Sequence, residues 1–271
     1  MCYKIFLRGT FILNLRDLVI LALVEGVADI VPIDSSAHAM IVTRLLSLRA
    51  GMLAPAFHLG AALAVILYFW REMGLIWSGL WKLRKMRIEP GTRLLAKMLV
   101  AALPFLLIQG GVGGIAPPPV TSLFWIGVVT MICAVVMFFA DRLSLTVKRI
   151  EHIGALTSLA VGVAQIAALL PGIGRVPAAL IMARLFGMER TAAYRFVLLA
   201  TLPILVVEAV AGLVQSGRHP GFSDLLAFGL SFALVLVALP IAFSLIRRAG
   251  LMAFVLYRLL FGAMLLGLGL L

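Results

Sequence analysis

Long apolar runs alternate with short polar or charged connections along most of the chain. Six runs reach or approach the roughly 20 residues that a membrane-spanning helix needs, and they lie at residues 55–70, 94–112, 120–140, 191–213, 225–245 and 251–271. None of them shows the period-two alternation of a membrane β-strand. The pattern therefore predicts an all-α integral membrane protein with about six spanning helices.

Two further apolar segments are interrupted where a helix would otherwise continue. Residues 31–37 contain Pro32 and two serines, and residues 171–177 contain two prolines and two glycines. Proline cannot donate a backbone hydrogen bond and disfavours helix at the preceding residue. A broken helix at membrane depth is tolerated only where it is buried in protein or lines a cavity. We therefore predict two broken, re-entrant helix pairs that together form a substrate site.

The two interrupted segments belong to an internal repeat. Three short matches carry it: residues 26–30 with 162–166, 40–46 with 180–186, and 56–58 with 193–195. An odd number of spanning helices separates the copies, which predicts an inverted-topology repeat with paired broken helices. We predict a single membrane domain over residues 1–271, with repeat 1 at about 17–140 and repeat 2 at about 151–271.

Composition supports the membrane class and limits the meaning of the charge. Of 271 residues, 63% are hydrophobic and 13% are charged, whereas soluble domains are about 45–50% apolar and about 25% charged. The net charge of +12 is typical of cytoplasmic loops and of contacts with membrane lipids; no nucleic-acid module is recognisable, so no nucleic acid is expected. Residues 71–93, 141–149 and 247–248 carry this basic charge and are predicted to be cytoplasmic, and the uncharged loop at 113–119 is predicted to face outward.

The first interruption contains an unusual density of polar groups for a hydrocarbon-rich chain. Glu25 and Asp29 are four residues apart, which places both carboxylates on one helix face. Two like charges in a low dielectric are best tolerated when a cation bridges them or one is protonated, and oxygen ligands suit Mg²⁺ or Ca²⁺. The alternative is that they pair with Arg44 or Arg175.

Hydroxyl and imidazole groups follow the break. Ser35 and His38 offer a nucleophile with its base, or a phosphate ligand with a proton donor. The alternative is that Ser35 and Ser36 cap the next helix, and both roles are compatible because a helix N-terminus also binds anions. We interpret His58, on an apolar face, as a packing residue.

The second interruption supplies the opposite charge. Gly172 and Gly174 allow backbone N–H groups to approach an anion closely, and Arg175 can bind a phosphate with its planar guanidinium. The alternative is a Pro/Gly kink with an arginine that reaches toward the interface. Together the two breaks suit a phosphate ester or diphosphate that carries a hydrocarbon tail.

At these residues the sequence resembles the undecaprenyl-diphosphate phosphatase family, the bacitracin-resistance phosphatases of bacterial membranes. Residues 25–38 resemble the family's first motif, a Glu-Gly pair followed by a second acid, a proline, serines and a histidine. Residues 171–179 resemble its second motif, and residues 58–61 resemble a shorter one.

The resemblance implies a hydrolase that converts undecaprenyl diphosphate, a polyprenyl lipid, to the monophosphate and so recycles the carrier lipid for cell-wall synthesis. It implies a divalent cation as cofactor, a bacterial inner (plasma) membrane location and an active site on the outer side. The site residues so implied are Glu25, Ser35, His38 and Arg175 for catalysis, Asp34, Ser36, Gly172 and Gly174 for substrate binding, and Glu25 and Asp29 for the metal. A transporter or flippase of a lipid-linked phosphate on the same fold is the alternative function, and a homodimer is left open.

The chain departs from the family pattern at several of these positions. Asp29 replaces a glutamate and Asp34 replaces a serine. The second motif loses two serines and a threonine, at Gly174, Val176 and Ala179. Hydroxyls that could bind phosphate are therefore absent from the second break.

Overall fold

The computed structural model describes residues 14–46, 53–83, 88–109, 122–144, 148–217 and 219–270. The loop predicted at 113–119 lies outside these residues. Within them the α-helices are α1 (Leu15–Leu21), α2 (Ala28–Ile30), α3 (Ser35–Leu46), α4 (Ala54–Tyr68), α5 (Trp70–Leu83), α6 (Pro90–Gln109), α7 (Leu123–Leu143), α8 (Ala155–Ile166), α9 (Arg175–Leu185), α10 (Arg190–Ser216), α11 (Phe222–Ala249) and α12 (Met252–Leu270). A π-helical turn at Ala22–Val27 joins α1 to α2, and 3₁₀ turns lie at Ile150–His152 and Ala167–Leu169.

The predicted all-α membrane class is confirmed. In the part of the chain described here, five helices are long and apolar enough to cross a membrane: α6, α7, α10, α11 and α12. They correspond to five of the six predicted spans. The count rises to six if α4 and α5, which bend by 84° between Tyr68 and Trp70, form one span.

The prediction for the region after residue 70 was wrong in its secondary structure. Residues 71–93 were expected to be a loop, but α5 continues to Leu83 and α6 already begins at Pro90. The physical reason is amphipathicity. Ile76 and Gly79 are buried, and a Cβ on Gly79 would lie only 2.7 Å from the Thr92 backbone nitrogen in α6, so one face packs closely.

The opposite face of α5 is exposed and rich in tryptophan. The side chains of Trp70, Trp77 and Trp81 are all more than 60% exposed. Tryptophan at this exposure is typical of the membrane–water interface. A helix with one packed and one aromatic face suits a position along that interface better than a full crossing.

Both predicted helix breaks are confirmed, and the structure brings them into contact. The first break lies between Ile30 and Ser35, and the second between Leu169 and Arg175. The Gly172 backbone N–H donates to the Asp34 carboxylate at 2.7 Å. The inverted relation of the two copies and the repeat boundaries stay predictions.

α10 lies at the centre of the helix packing. It contacts α4, α6, α9 and α11, and residues 196–202 of α10 are all buried. Its length places two distant regions on one rigid element, with Arg190 at the start and Glu208 eighteen residues later. At 1.5 Å per residue these two positions are about 27 Å apart.

The segments predicted to be cytoplasmic meet at one end of the bundle. Arg149 and Arg247 line one cavity. Arg71 lines a neighbouring cavity that shares Arg195 with it. The basic residues therefore collect at the end where α10 begins. Assignment of that end to the cytoplasm stays a prediction.

Candidate active site

A cavity of about 390 Å³ lies where the two breaks meet. Most of the predicted site residues line it: Glu25, Asp29, Asp34, Ser35, Ser36, Gly174 and Arg175. Four further polar or aromatic side chains contribute from spanning helices, namely His58, Phe105, Gln109 and Glu208. His38 and Gly172, also predicted as site residues, are not among the lining residues.

Arg175 is the cation at the centre of this cavity. It is the first residue of α9 and is only 9% exposed. Its Nη2 donates to Asp29 Oδ2 at 2.5 Å, and its Nη1 donates to Glu208 Oε2. The guanidinium also stacks over the Phe105 ring, 5.5 Å from the centroid. Asp29 therefore forms the arginine pair that was the alternative to a metal role, and its metal role stays a prediction.

Ser35 is positioned by the same carboxylate. Its Oγ donates to Asp29 Oδ1 at 3.1 Å, so Asp29 joins the hydroxyl of the first break to the guanidinium of the second. The predicted pairing of Ser35 with His38 is not what the structure shows. The group in hydrogen-bond reach of Ser35 is a carboxylate, which is also able to accept a proton.

Asp34 connects the two breaks rather than facing the cavity with free oxygens. Its carboxylate accepts hydrogen bonds from the Ala37 N–H at 2.9 Å and from the Ser36 hydroxyl at 2.9 Å. It also accepts the Gly172 N–H of the second break at 2.7 Å. Asp34 thus caps α3 and is 3% exposed, and Ser36 is held by it. Their predicted role in substrate binding is therefore better explained as positioning, because their polar atoms are already bonded within the protein.

The two glycines of the second break adopt backbone conformations that other residues rarely adopt. Gly172 has φ +101° and Gly174 has φ +78°. The Gly172 N–H, expected to approach an anion, instead donates to Asp34. A Cβ on Gly174 would lie 2.7 Å from the Ile33 carbonyl oxygen, so this glycine allows the two breaks to touch.

We expect Gly174→Ala to lower the free energy of unfolding by about 2 kcal/mol or more, because it adds left-handed strain and a backbone clash. The measurement is the thermal unfolding midpoint of the detergent-solubilised protein. Gly229→Ala is the matched control, since a Cβ there meets no atom within 4 Å. Equal midpoints for the two variants would contradict the assignment of close contact to Gly174.

His38 lies behind the cavity on α3. Its Nδ1 bonds the Asp34 carbonyl oxygen, which makes Nδ1 the protonated nitrogen of a neutral ring. Its Nε2 is 2.6 Å from the Tyr257 hydroxyl. The ring stacks on Phe261 at 3.9 Å between centroids. Its predicted acid/base role stays a prediction, and its partners in the structure come from α12 and its own helix.

Two cavity residues were missed by sequence reasoning. His58, interpreted as a packing residue, lies between two carboxylates, with Nε2 3.9 Å from Glu25 Oε2 and Nδ1 3.8 Å from Glu208 Oε2. Glu208 binds Arg175 and also accepts a hydrogen bond from Gln109 at 2.9 Å. The signal available in the sequence was a single glutamate in a long apolar run, which at membrane depth indicates function.

Arg258 is a third residue that the motifs did not identify. It lies in α12, is 1% exposed and donates from Nη2 to the Gly172 carbonyl oxygen at 2.6 Å. Its Nε and Nη1 have no hydrogen-bond partner among the described residues. Gly172 therefore lies between two buried charges, with Asp34 bonded to its N–H and Arg258 bonded to its carbonyl.

The charge balance of the cavity bears on the predicted cation. Glu25, Asp29 and Glu208 surround one guanidinium, so an incoming diphosphate would meet excess negative charge. Carboxylate oxygens are ligands that Mg²⁺ and Ca²⁺ prefer. No group of three acidic, histidine or cysteine side chains within the described ranges is arranged to hold a metal. The donor type fits such a cation, provided that substrate oxygens complete the ligand set.

Comparisons with known proteins agree in length and kind. The family model described as bacitracin resistance protein BacA matches residues 18–264. A protein of Rhodospirillum rubrum named undecaprenyl-diphosphatase 1 is 34% identical over 94% of this chain and 95% of its own length. Proteins named undecaprenyl-diphosphatase from Maricaulis maris and Teredinibacter turnerae are 30% and 31% identical, covering 94% and 93% of this chain and 98% of each relative.

Proposed function

This chain belongs to the bacitracin resistance protein BacA family, and on that premise we propose how its cavity acts on a lipid diphosphate. The chain is a multi-pass membrane phosphatase of the undecaprenyl-diphosphatase type. Its substrate class is a polyprenyl diphosphate, and its product is the monophosphate. The alternative of a transporter is not favoured, because the relatives that match over nearly the whole chain are named as diphosphatases.

One observation supports the role of the cavity. Asp29 holds the Ser35 hydroxyl with one oxygen and the Arg175 guanidinium with the other. A nucleophile, a proton acceptor and a cation for phosphate oxygens thus lie within one chain of hydrogen bonds. Arginine binds phosphate through two parallel N–H donors, and stabilisation of charge on the transferring group is the main requirement of phosphoryl transfer.

The chemistry follows from an exchange of partners at Arg175. When the terminal phosphate takes the guanidinium, Asp29 loses its cation and becomes a stronger base. Ser35 Oγ then forms a bond to the terminal phosphorus, its proton passes to Asp29, and the bond from that phosphorus to the bridging oxygen breaks. The polyprenyl monophosphate leaves, and water cleaves the phosphoserine to release inorganic phosphate and restore the serine. His38 positions α3 through Asp34 and Tyr257 in this scheme.

A divalent cation would supply charge neutralisation for the diphosphate. Glu25 is the residue best placed to hold it, because its nearest charged neighbour is His58 at 3.9 Å, whereas both oxygens of Asp29 are already hydrogen-bonded. Magnesium sites commonly use one or two carboxylates with substrate phosphates as the other ligands. The preference between Mg²⁺ and Ca²⁺ is left to measurement.

We expect Glu25→Gln to raise the Mg²⁺ concentration that gives half-maximal activity by about tenfold or more, since an amide is a weaker ligand than a carboxylate. The measurement is phosphate release against Mg²⁺ concentration. Glu89→Gln is the control, because Glu89 is paired with Lys82 away from the cavity. A half-maximal concentration unchanged in Glu25→Gln would exclude this residue as the ligand.

The function itself is tested by release of inorganic phosphate from undecaprenyl diphosphate by the purified full chain with Mg²⁺ or Ca²⁺. We expect release by the wild type and its loss in Ser35→Ala, with Ser78→Ala as a control because the Ser78 hydroxyl is exposed and bonds only its own helix. A parallel assay follows lipid translocation in vesicles. Translocation without phosphate release would favour the transporter instead.

We further propose that the cavity faces the outer side of a bacterial inner membrane. The support is the collection of basic residues at the opposite end, about 27 Å from Glu208 along α10, together with the preference of basic segments for the cytoplasm. A cysteine introduced beside the cavity, at Ala168, tests this with a membrane-impermeant thiol reagent in intact cells after Cys2→Ser and Cys133→Ser. Labelling from outside is expected, and labelling only in inverted vesicles would reverse the orientation.

A further inference from the structure

A second polar cavity lies at the end of the bundle where α10 begins. Its volume is about 450 Å³, larger than the 390 Å³ of the candidate active site. The ends of α7, α9 and α11 and the start of α10 form its walls. Four arginines line it, namely Arg142, Arg184, Arg190 and Arg247. The cavity shares no lining residue with the candidate active site.

The carboxylates in this cavity do not neutralise its arginines. Asp141 is already bound by Arg190 at 2.7 Å and by Arg184 at 3.3 Å, and it also accepts the Leu251 N–H at 3.3 Å. The other carboxylate, Glu189, accepts a hydrogen bond from the Thr191 hydroxyl at 3.2 Å. One acid thus serves two arginines, and the remaining arginines exceed the acid that is left.

Arg247 is the residue that this imbalance leaves available. It is exposed, and no ion pair joins it to a carboxylate within the described ranges. It lines both this cavity and an adjacent one of about 320 Å³, to which Arg149 also contributes. Arg142 lines the first cavity and contacts the Phe138 ring at 5.6 Å. Three arginines from three segments thus surround connected space with their charge uncompensated.

The backbone adds to this positive potential. Arg190 and Thr191 are the first residues of α10, a helix of 27 residues, and both line the cavity. The first N–H groups of a helix have no partner within it and carry partial positive charge. Helix N-termini flanked by arginine are a common arrangement for binding phosphate groups.

The position of the cavity indicates the source of the phosphate. Arg195 and Phe243 connect it, through the adjacent cavity, to a third one lined by Trp70 and Arg71. Trp70 is 63% exposed at the start of the interfacial helix α5, which places this end at the level of lipid headgroups. Basic pockets between helices at that level bind anionic lipid heads.

We propose that this arginine cavity, centred on Arg247 and the start of α10, binds the phosphate group of an anionic phospholipid headgroup. The site is distinct from the phosphatase cavity and does not depend on the chemistry proposed there. It recognises a phosphate through Arg142, Arg149 and Arg247 and through the N–H groups of α10. The acyl chains of the lipid lie along the exposed apolar surface beside it. Free inorganic phosphate presents the same chemistry and is the other source to distinguish.

The test measures binding of phosphatidylglycerol to the purified full chain in phosphatidylcholine nanodiscs or mild detergent, by native mass spectrometry or with a fluorescent headgroup-matched analogue. We expect Arg247→Gln to weaken binding about tenfold, as expected for the loss of a charge-assisted hydrogen bond. Arg248→Gln is the matched control, because Arg248 is the next residue of α11, is equally exposed and does not line the cavity. It is expected to bind like the wild type.

Two further arms complete the test. Inorganic phosphate is added as a competitor, and no displacement at millimolar concentration assigns the site to the lipid, whereas full displacement assigns it to free phosphate. If Arg247→Gln has a lowered unfolding midpoint, Arg142→Gln and Arg149→Gln are used in its place. Equal binding by the cavity variants and Arg248→Gln would overturn the proposal, because the lipid would then be held only by general surface charge.

Discussion

Replacing Arg175 by lysine is expected to lower kcat/KM for a polyprenyl diphosphate by about 10²- to 10³-fold, which is the usual effect of removing one charge-stabilising donor from an active site. The guanidinium contacts Asp29 and Glu208 with two different nitrogens. A lysine ammonium keeps the charge but is a single point donor that cannot repeat this planar arrangement. The loss is expected mainly in kcat, because the arginine acts on the transferring phosphoryl group.

A second variant at this position separates catalysis from folding. Arg175→Met leaves two buried carboxylates without their cation, and breaking a buried pair in this way costs about 3–5 kcal/mol. We therefore expect Arg175→Met to unfold at a clearly lower temperature than the wild type, and Arg175→Lys to unfold close to it. Arg93→Lys, at the exposed start of α6, is the control for both measurements. Retention of more than a third of the activity in Arg175→Lys would exclude the proposed role.

Replacing Arg258 by methionine is expected to reduce both stability and activity, although no recognised motif contains this residue. Arg258 and Asp34 are buried charges joined through the two backbone groups of Gly172. Loss of the arginine leaves the Asp34 carboxylate without the nearest cation on this side of the break. We expect the free energy of unfolding to fall by about 3 kcal/mol and kcat to fall at least about tenfold, since both breaks lose their register.

A double variant tests whether the two charges act as a pair. Asp34→Ser restores the residue that the family motif has at this position, and the serine can still cap α3. If Arg258 balances Asp34, the double variant Asp34→Ser/Arg258→Met will be more stable than the sum of the single effects predicts, with a coupling of about 1–3 kcal/mol. Strict additivity would show that Arg258 acts independently. Tyr257→Phe, which removes only the contact with His38, controls for general disturbance of α12.

Much of the fold was predictable because hydrocarbon imposes strict rules on sequence. Apolar runs of spanning length specify helices, since a backbone in lipid must satisfy its own hydrogen bonds. Pro32 and the Pro/Gly cluster at 171–177 likewise specify where two helices break. The exception was the stretch after residue 70, where charged residues on one face concealed an amphipathic helix.

The polar residues near the first break were also identifiable, since a carboxylate or arginine within an apolar run is rare without a function. Glu25, Asp29, Ser35 and Arg175 all line one cavity, as the two motifs predicted. The sequence alone thus determined the membrane class, the positions of the breaks and most of the residues that meet at them.

Only the tertiary structure decided how those residues pair. Asp29 lies between Ser35 and Arg175, Asp34 bonds across to Gly172, and His38 turns to Tyr257. Local sequence rules describe neighbours three or four residues apart, whereas these contacts, apart from that of Ser35, join residues more than 130 positions apart. Such partners depend on how α9, α10 and α12 pack against the first break, and that packing is set by the whole chain.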